Sequence, residues 1–303
     1  MTVRAVNPYT SYQVLLNLQR AKADMADLSE QISSGSRLTS LGKDPAASAL
    51  VLDLQGSIDR NNAYISQAES AGAVLTGTET ALTSLNEEIT QILEIGVSGL
   101  GDSATATERT SLATEVGGIK TVILSLANME TSGKYLFAGT QTTTKPFSES
   151  TSGDVTYSGD GNSIVLDISS STSISTNLSG ETVFLGSGGQ GSSTDLFQQI
   201  ADLQEGLEND DVDQIQVAYD NLETILDSVN ACLTDVGVRQ TTLDQISSNL
   251  GSYNDALESL QSTHESVDYS AASVEYAQAQ LVQEASLSVL SNQSDLTLFD
   301  YLA

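Results

Sequence analysis

Two heptad seams, one near each end of the chain, limit what this sequence can fold into. Towards the C-terminal end Leu243, Ile246, Leu250, Tyr253, Leu257, Leu260, His264, Val267, Ala271 and Val274 recur at alternating spacings of three and four. That is the a/d pattern of a coiled-coil helix. Read as one continuous helix, the stretch would extend about 48 Å at about 1.5 Å per residue. At the other end Val14, Leu18, Ala21, Met25, Leu28 and Ile32 keep the same alternation. Each seam is too narrow to bury itself, so each needs a partner helix. The simplest partner for the N-terminal seam is the apolar C-terminal stretch, where Leu281, Ala285, Leu287, Leu290, Leu298, Phe299 and Leu302 continue the pattern less regularly. An ordinary amphipathic helix in a bundle has the same periodicity, and spacing alone does not separate the two.

Composition narrows the chemistry. The 303 residues include 40 acidic and 11 basic side chains, a net charge of −29. Nucleic-acid binding needs clustered Lys and Arg on phosphates, which argues against it here. One Cys and one His leave no internal disulfide and no cysteine- or multi-histidine metal centre. No catalytic, cofactor-binding or metal-ligating residue is therefore assigned, and no cofactor is expected. The opening residues lack the basic start, apolar run and small-residue cleavage site of a secretory signal, and no run of about 18 apolar residues suggests a membrane span. The charge is uneven. Residues 1–43 carry five basic and three acidic residues, whereas residues 243–303 carry nine acidic ones and no Lys or Arg. Opposite signs at the two ends favour their pairing with each other. A saline habitat would also select a generally acidic surface.

Between the ends, residues 46–100 read as helix, with Asp44 as N-cap and Pro45 in the first turn. Gly99, Gly101 and Asp102 mark a break. Thr105 and Glu108 form a capping box for a helix to about Met129. A helix over 195–208 stops at Asn209-Asp210-Asp211, and a long one starts at Val212. That acidic turn lacks the ligand spacing of a calcium loop. Residues 134–192 change character, being rich in Ser, Thr and Gly. Period-two segments at Tyr135–Ala138, Val155–Tyr157, Ile164–Ile168 and Thr182–Leu185 read as strands, with Gly159–Asn162 as a hairpin turn between the middle two. Their low hydrophobic content implies that this insertion leans on the helices. The expected fold is mainly α with a small β-rich insertion: an elongated rod of long antiparallel helices with paired coiled-coil termini.

The one literal chemical motif is G-x-G-x-x-G at Gly186–Gly191. A dinucleotide site also needs a βαβ unit and an acidic residue about 20 residues on, and here helix and acidic turn follow instead. It reads as a flexible linker. His264 lies on a coil seam, and Cys232 sits among Val229, Leu233 and Val236 as a small apolar residue. The sequons at Asn177 and Asn292 are not read as glycosylated.

Several segments carry a family resemblance. Gln31-Ile-Ser-Ser34-Gly35-Ser-Arg37-Leu38, followed by Asp44-Pro45-Ala-Ala, resembles the Q-L-S-S-G-x-R-I…D-D-P-A-A stretch of the bacterial flagellin-like family, with Lys43 departing from an acidic position. Gly133-Lys-Tyr135-Leu-Phe137-Ala-Gly139-Thr140 with Pro146-Phe147, Tyr157-Ser-Gly-Asp160 with Gly180–Phe184, Gly237-Val-Arg239 with Leu243, and Leu296–Leu302 are similar to segments of its hook–filament junction branch. This resemblance implies an adaptor that joins the flagellar hook to the filament. Its partners would be the first hook-associated protein (FlgK), flagellin, further copies in a ring or tubular layer, an export chaperone (FlgN) and the type III export apparatus. It also implies three parts: terminal coiled-coil segments at 1–43 and 265–303, disordered in the free monomer; a helical rod at 44–133 and 193–264; and an outer β-rich domain at 134–192. It places the assembly interface on Val14, Leu18, Met25, Leu28, Ile32, Leu281, Leu287, Leu290, Leu298, Phe299 and Leu302. A flagellin-type filament subunit and an intracellular coiled-coil scaffold stand as alternatives.

Overall fold

The computed structural model describes the backbone of residues 8–40, 42–151 and 153–302, and the side chains of residues 12–40, 42–151 and 153–291. Most of the long helices arise where the sequence places them. They are α1 (Pro8–Ser34), α2 (Pro45–Leu100), α3 (Ala106–Ala127), α4 (Leu196–Asn209), α5 (Val212–Glu265) and α6 (Tyr269–Leu302). Their starts follow local chemistry. The Ala47 N–H donates to Asp44 Oδ1 at 3.0 Å, leaving Pro45 in the first turn where its missing N–H costs nothing. Thr105 and Glu108 form the capping box of α3. Asp195 accepts from the Phe197 and Gln198 N–H groups at the head of α4. Asp210 takes a left-handed conformation (φ 61°) to end that helix.

The chain divides into two compact units. Unit 1 comprises residues 1–60 and 253–303, and unit 2 comprises residues 61–252, so α2 and α5 contribute to both. In unit 1, α1 pairs with α6. Leu54 and Ile58 of α2 pack on Leu257 of α5. In unit 2, α2, α3, α4 and α5 share one continuous core with the β-rich insertion. Phe137, Phe147 and Phe184 of the insertion are fully buried in it. The insertion therefore leans on the helices, as its composition implies. Its strands are short antiparallel pairs: β1 (Glu130–Thr131) with β2 (Lys134–Tyr135), β3 (Phe147–Glu149) with β4 (Val155–Tyr157), and β5 (Val165–Asp167) with β6 (Ser173–Ser175).

Four local expectations give way. The seam from Leu243 to Val274 is not one helix: α5 ends at Glu265 and α6 starts at Tyr269. The break is imposed by Asp268, whose carboxylate accepts from the Ser270 and Ala271 N–H groups and caps α6. Thr182–Leu185 is not a strand but part of a π-helical turn, Glu181–Leu185. Val183, Phe184 and Leu185 are all buried, and a strand would turn alternate residues outward. The hairpin through Gly159–Asn162 does not form, because β4 pairs back onto β3 with Phe147 opposite Tyr157. Asp160 is held instead by the preceding loop, accepting from the Thr140 N–H at 2.9 Å and from its hydroxyl. Finally, of the Tyr135–Ala138 segment only Tyr135 joins a ladder, together with Lys134 before it. Leu136, Phe137 and Ala138 leave it to enter the core.

Candidate functional site

The residues carrying the N-terminal motif build a corner of unit 1. α1 ends at Ser34, and Gly35 turns with φ +74°. Its carbonyl accepts from the Val267 N–H at 3.0 Å, and the Arg37 N–H donates to the Glu265 carbonyl at 2.8 Å. Ser36 and Ser266 form an antiparallel bridge between these contacts. The Ser34 hydroxyl accepts from the Ser36 N–H, and the Ser36 hydroxyl accepts from the Leu38 N–H, which shapes the turn. The Arg37 guanidinium then joins three elements. Its Nε donates to the His264 carbonyl at 2.6 Å, and Nη1 pairs with Asp44 at 3.2 Å. Asp44 also caps α2, so one carboxylate serves the helix start and the arginine. The Ala47 N–H and the Arg37 side chain hold its carboxyl below the usual range. Lys43, which departs from the family pattern, pairs with Asp27 of α1 at 3.0 Å.

α1 packs along α6. Leu18 and Ala21 are buried, and Val14, Met25, Leu28 and Ile32 are half-buried. The α6 side differs. Leu281 is 67% exposed and Leu287 47% exposed, so neither fills the seam. The covered positions are Ala272, Tyr276, Ala279, Gln283, Ser286 and Leu290, which alternate by four and three. Small and polar side chains allow two helices to lie close, while Val274, Leu281, Val282 and Val289 point outward. Of the large aliphatics that the sequence reading singled out, Leu281 and Leu287 lie outside the α1–α6 pair. An a/d register of small residues, led by the cap Asp268, was the available signal. Leu298, Phe299 and Leu302 lie outside the described side chains.

The later motif residues meet in unit 2. Phe137 stacks edge-on against Phe184 at 5.2 Å, and its carbonyl accepts from the Gly180 N–H and the Tyr157 hydroxyl. Burial is the main reason that the Tyr157 phenol is pushed up to about 12. Gly139 has φ +68°, and a Cβ there would run into Asp160, so no other residue fits. Tyr135 anchors β2 through its N–H, which donates to the Thr142 carbonyl. Arg239 projects from α5, donating Nη1 to the Ser175 and Asn177 carbonyls at 3.0 and 3.2 Å while Nη2 pairs with Asp235 at 2.6 Å. These contacts tie the insertion to α5. Asn177 is buried and donates to the Gly139 and Asn162 carbonyls.

Other candidates resolve into structure. Burial raises the pKa of Cys232, which is half-buried beside Asp235 and Arg239. The Gly186–Gly191 loop follows a π-helical turn rather than a strand. Its N–H groups are engaged within the loop, Gly188 to Thr194 Oγ1 and Gly191 to Asp195. Among the described residues no group of three or more His, Cys, Asp or Glu is placed to hold a metal. No described helix is long and apolar enough to cross a membrane.

Comparison with known proteins accords with these motifs. Residues 6–142 match the bacterial flagellin N-terminal helical region, and residues 219–302 match the bacterial flagellin C-terminal helical region. The flagellar hook-associated protein 3 of Salmonella typhimurium is 27% identical over 173 residues, and that of Escherichia coli 28%. The match covers 57% of this chain and 54% of each relative, so the chain spans about half the length of these proteins. Among solved structures, the flagellar hook-associated protein-3 of Legionella pneumophila shares the fold, with a TM-score of 0.62 at 14% identity. That likeness covers 69% of this chain and 97% of the other. With flagellin helical regions over well over half of its length, the chain belongs to the bacterial flagellin-like family.

Proposed function

We propose that this protein is a structural subunit of the bacterial flagellum that joins the hook to the filament. The observation that carries the reading is the likeness to relatives named flagellar hook-associated protein 3. The geometry supports a structural role. Arg37 and Asp44 brace a corner of backbone contacts, and no described constellation meets the roles that catalysis requires. The chain would meet the first hook-associated protein on one side and flagellin on the other, with copies side by side in a ring or tubular layer. An export chaperone and the flagellar type III apparatus would deliver it outside the cell. The parts at 1–43 and 265–303 would complete their folding on assembly, because short coil strands are marginal alone. Val14, Leu18, Met25, Leu28 and Ile32 would hold the α1–α6 pair, and the outward Leu281 and Leu287 would face neighbours.

Deleting the gene in the source organism tests this reading. The expected result is cells that carry hooks without filaments and release flagellin into the medium. Normal filaments on such cells would overturn it.

A further inference from the structure

Unit 2 holds five cations, and three of them are engaged inside it: Arg109 with Asp210, Lys120 with Glu149 and Arg239 with Asp235. The other two, Lys134 and Lys145, are exposed and form no ion pair among the described residues. Both belong to one stretch of the insertion. Lys134 opens β2 opposite Thr131, and Lys145 lies on the loop from β2 to β3. The backbone beneath them is braced. The Tyr135 N–H donates to the Thr142 carbonyl at 2.9 Å, and the Asn128 side chain holds both the N–H and the carbonyl of Phe147 at 3.0 Å. A complement lies on the helices of the same unit. α2 and α5 border a groove of about 570 Å3 with Ala68 and Leu243 buried at its floor. No atom stands within 4 Å of where a Cβ on Gly72 would be, so a side chain can enter there. Glu69, Glu79 and Asp244 line the same groove, and none forms an ion pair among the described residues. Gln240 donates to Glu79 Oε2 at 2.9 Å and fixes that carboxylate. The hairpin of the same copy is seated on Gly77, through the Thr131 hydroxyl and the Leu136 side chain, and its lysines do not pair with these acids. An apolar floor beside carboxylates suits a lysine, whose stem lies on apolar surface while its ammonium meets the acid. Two different patches that answer each other make a heterologous contact, the type from which rings close.

We propose that Lys134 and Lys145 of one copy dock in the α2–α5 groove of a second copy, in an ion-paired contact that sets the register between neighbours. The proposal rests on the reading that copies stand side by side, and it adds which surfaces meet. Opposed charges at such a contact exclude a wrong register, because like charges brought together are costly.

Charge reversal of the full-length chain in the source organism tests it, read as the amount of this chain on purified flagella by immunoblot. K134E with K145E, and separately E69K with D244K, should each lower incorporation by about tenfold or more. The four substitutions in one chain should restore it, since the pairs re-form with their signs exchanged. Co-expression of the two defective chains should recover incorporation in part, because each then meets the other's groove. A contact within one chain cannot be rescued that way. Circular dichroism of each purified variant checks its helices, and the neutral pairs K134Q with K145Q and E69Q with D244N serve if a reversal unfolds, with smaller losses expected. Full incorporation of either reversal overturns the contact, as does a combined or co-expressed set that fails to recover. The deletion experiment above reads the place in the flagellum separately. Filaments lost on deletion but kept by both reversals would sink the contact alone, whereas filaments kept on deletion would remove the reading beneath it.

Discussion

Unit 2 packs Phe137, Phe147, Phe184 and Phe197 ring against ring, with the centroids of these phenylalanine pairs 5.0 to 5.9 Å apart. Unit 1 places Ala272, Ala279, Gln283 and Ser286 between its paired helices and closes its corner with carbonyl contacts to Gly35 and Arg37. Buried aromatics contribute by area and by ring geometry, so unit 2 is sufficient to itself. A seam of small residues contributes little area, and the larger aliphatics of α6 face outward. The same chain thus holds a region built for its own stability and one whose apolar surface is only partly used within a single copy.

Substitutions can break this contrast. The largest effect belongs to Leu28→Asp. It places a carboxylate on the seam opposite α6, whose charged side chains among the described residues are Glu275 and Glu284. Incorporation into flagella should be lost while unit 2 keeps its cooperative unfolding, read by calorimetry beside electron microscopy. Normal incorporation would remove the seam assignment. Phe147→Ala attacks the other region. It should lower the stability of unit 2 by about 3–5 kcal/mol in urea unfolding, with the α1–α6 amides unaffected in hydrogen exchange. Arg37→Ala should loosen the corner by about 1–2 kcal/mol, seen as faster exchange at the amides of Val267 and of position 37. Arg37→Lys should rescue little, since one ammonium cannot reach both the His264 carbonyl and Asp44 in the fork geometry. Gly35→Ala should cost about 1 kcal/mol at the same amides, because φ is +74° and the Tyr269 hydroxyl lies where Cβ would go.

The smallest effect is that of acid on the corner. The Ala47 N–H and Arg37 hold the Asp44 carboxyl below its ordinary 3.8. A depressed folded value means that this contribution is present above pH 3.8 and is lost as pH falls through the folded value. Val267 amide exchange should therefore quicken below that range, and Asp44→Asn should flatten the response.

Much of this was legible in the residues because local chemistry decides helix ends. Asp44-Pro45, Thr105…Glu108 and Asp195 place their helix starts without tertiary information. The α1 face was legible because Val14, Leu18, Met25, Leu28 and Ile32 fall at heptad spacing, which puts them on one side of the helix. The α6 face was not, because its seam uses Ala, Ser and Gln. The strand pairing of the insertion also escaped the sequence. Gly159–Asn162 has turn chemistry, but Thr140, 20 residues earlier, captures Asp160 and fixes a different partner for β4. Arg37 and Arg239 stood out as motif positions, yet their acceptors are carbonyls, which side-chain patterns do not announce.

The most direct test of the account is gold-labelled antibody against this chain on intact flagella from the source organism, viewed by electron microscopy. Label confined to the boundary between hook and filament is the predicted result. Label along the whole filament, or none on the flagellum, would contradict it.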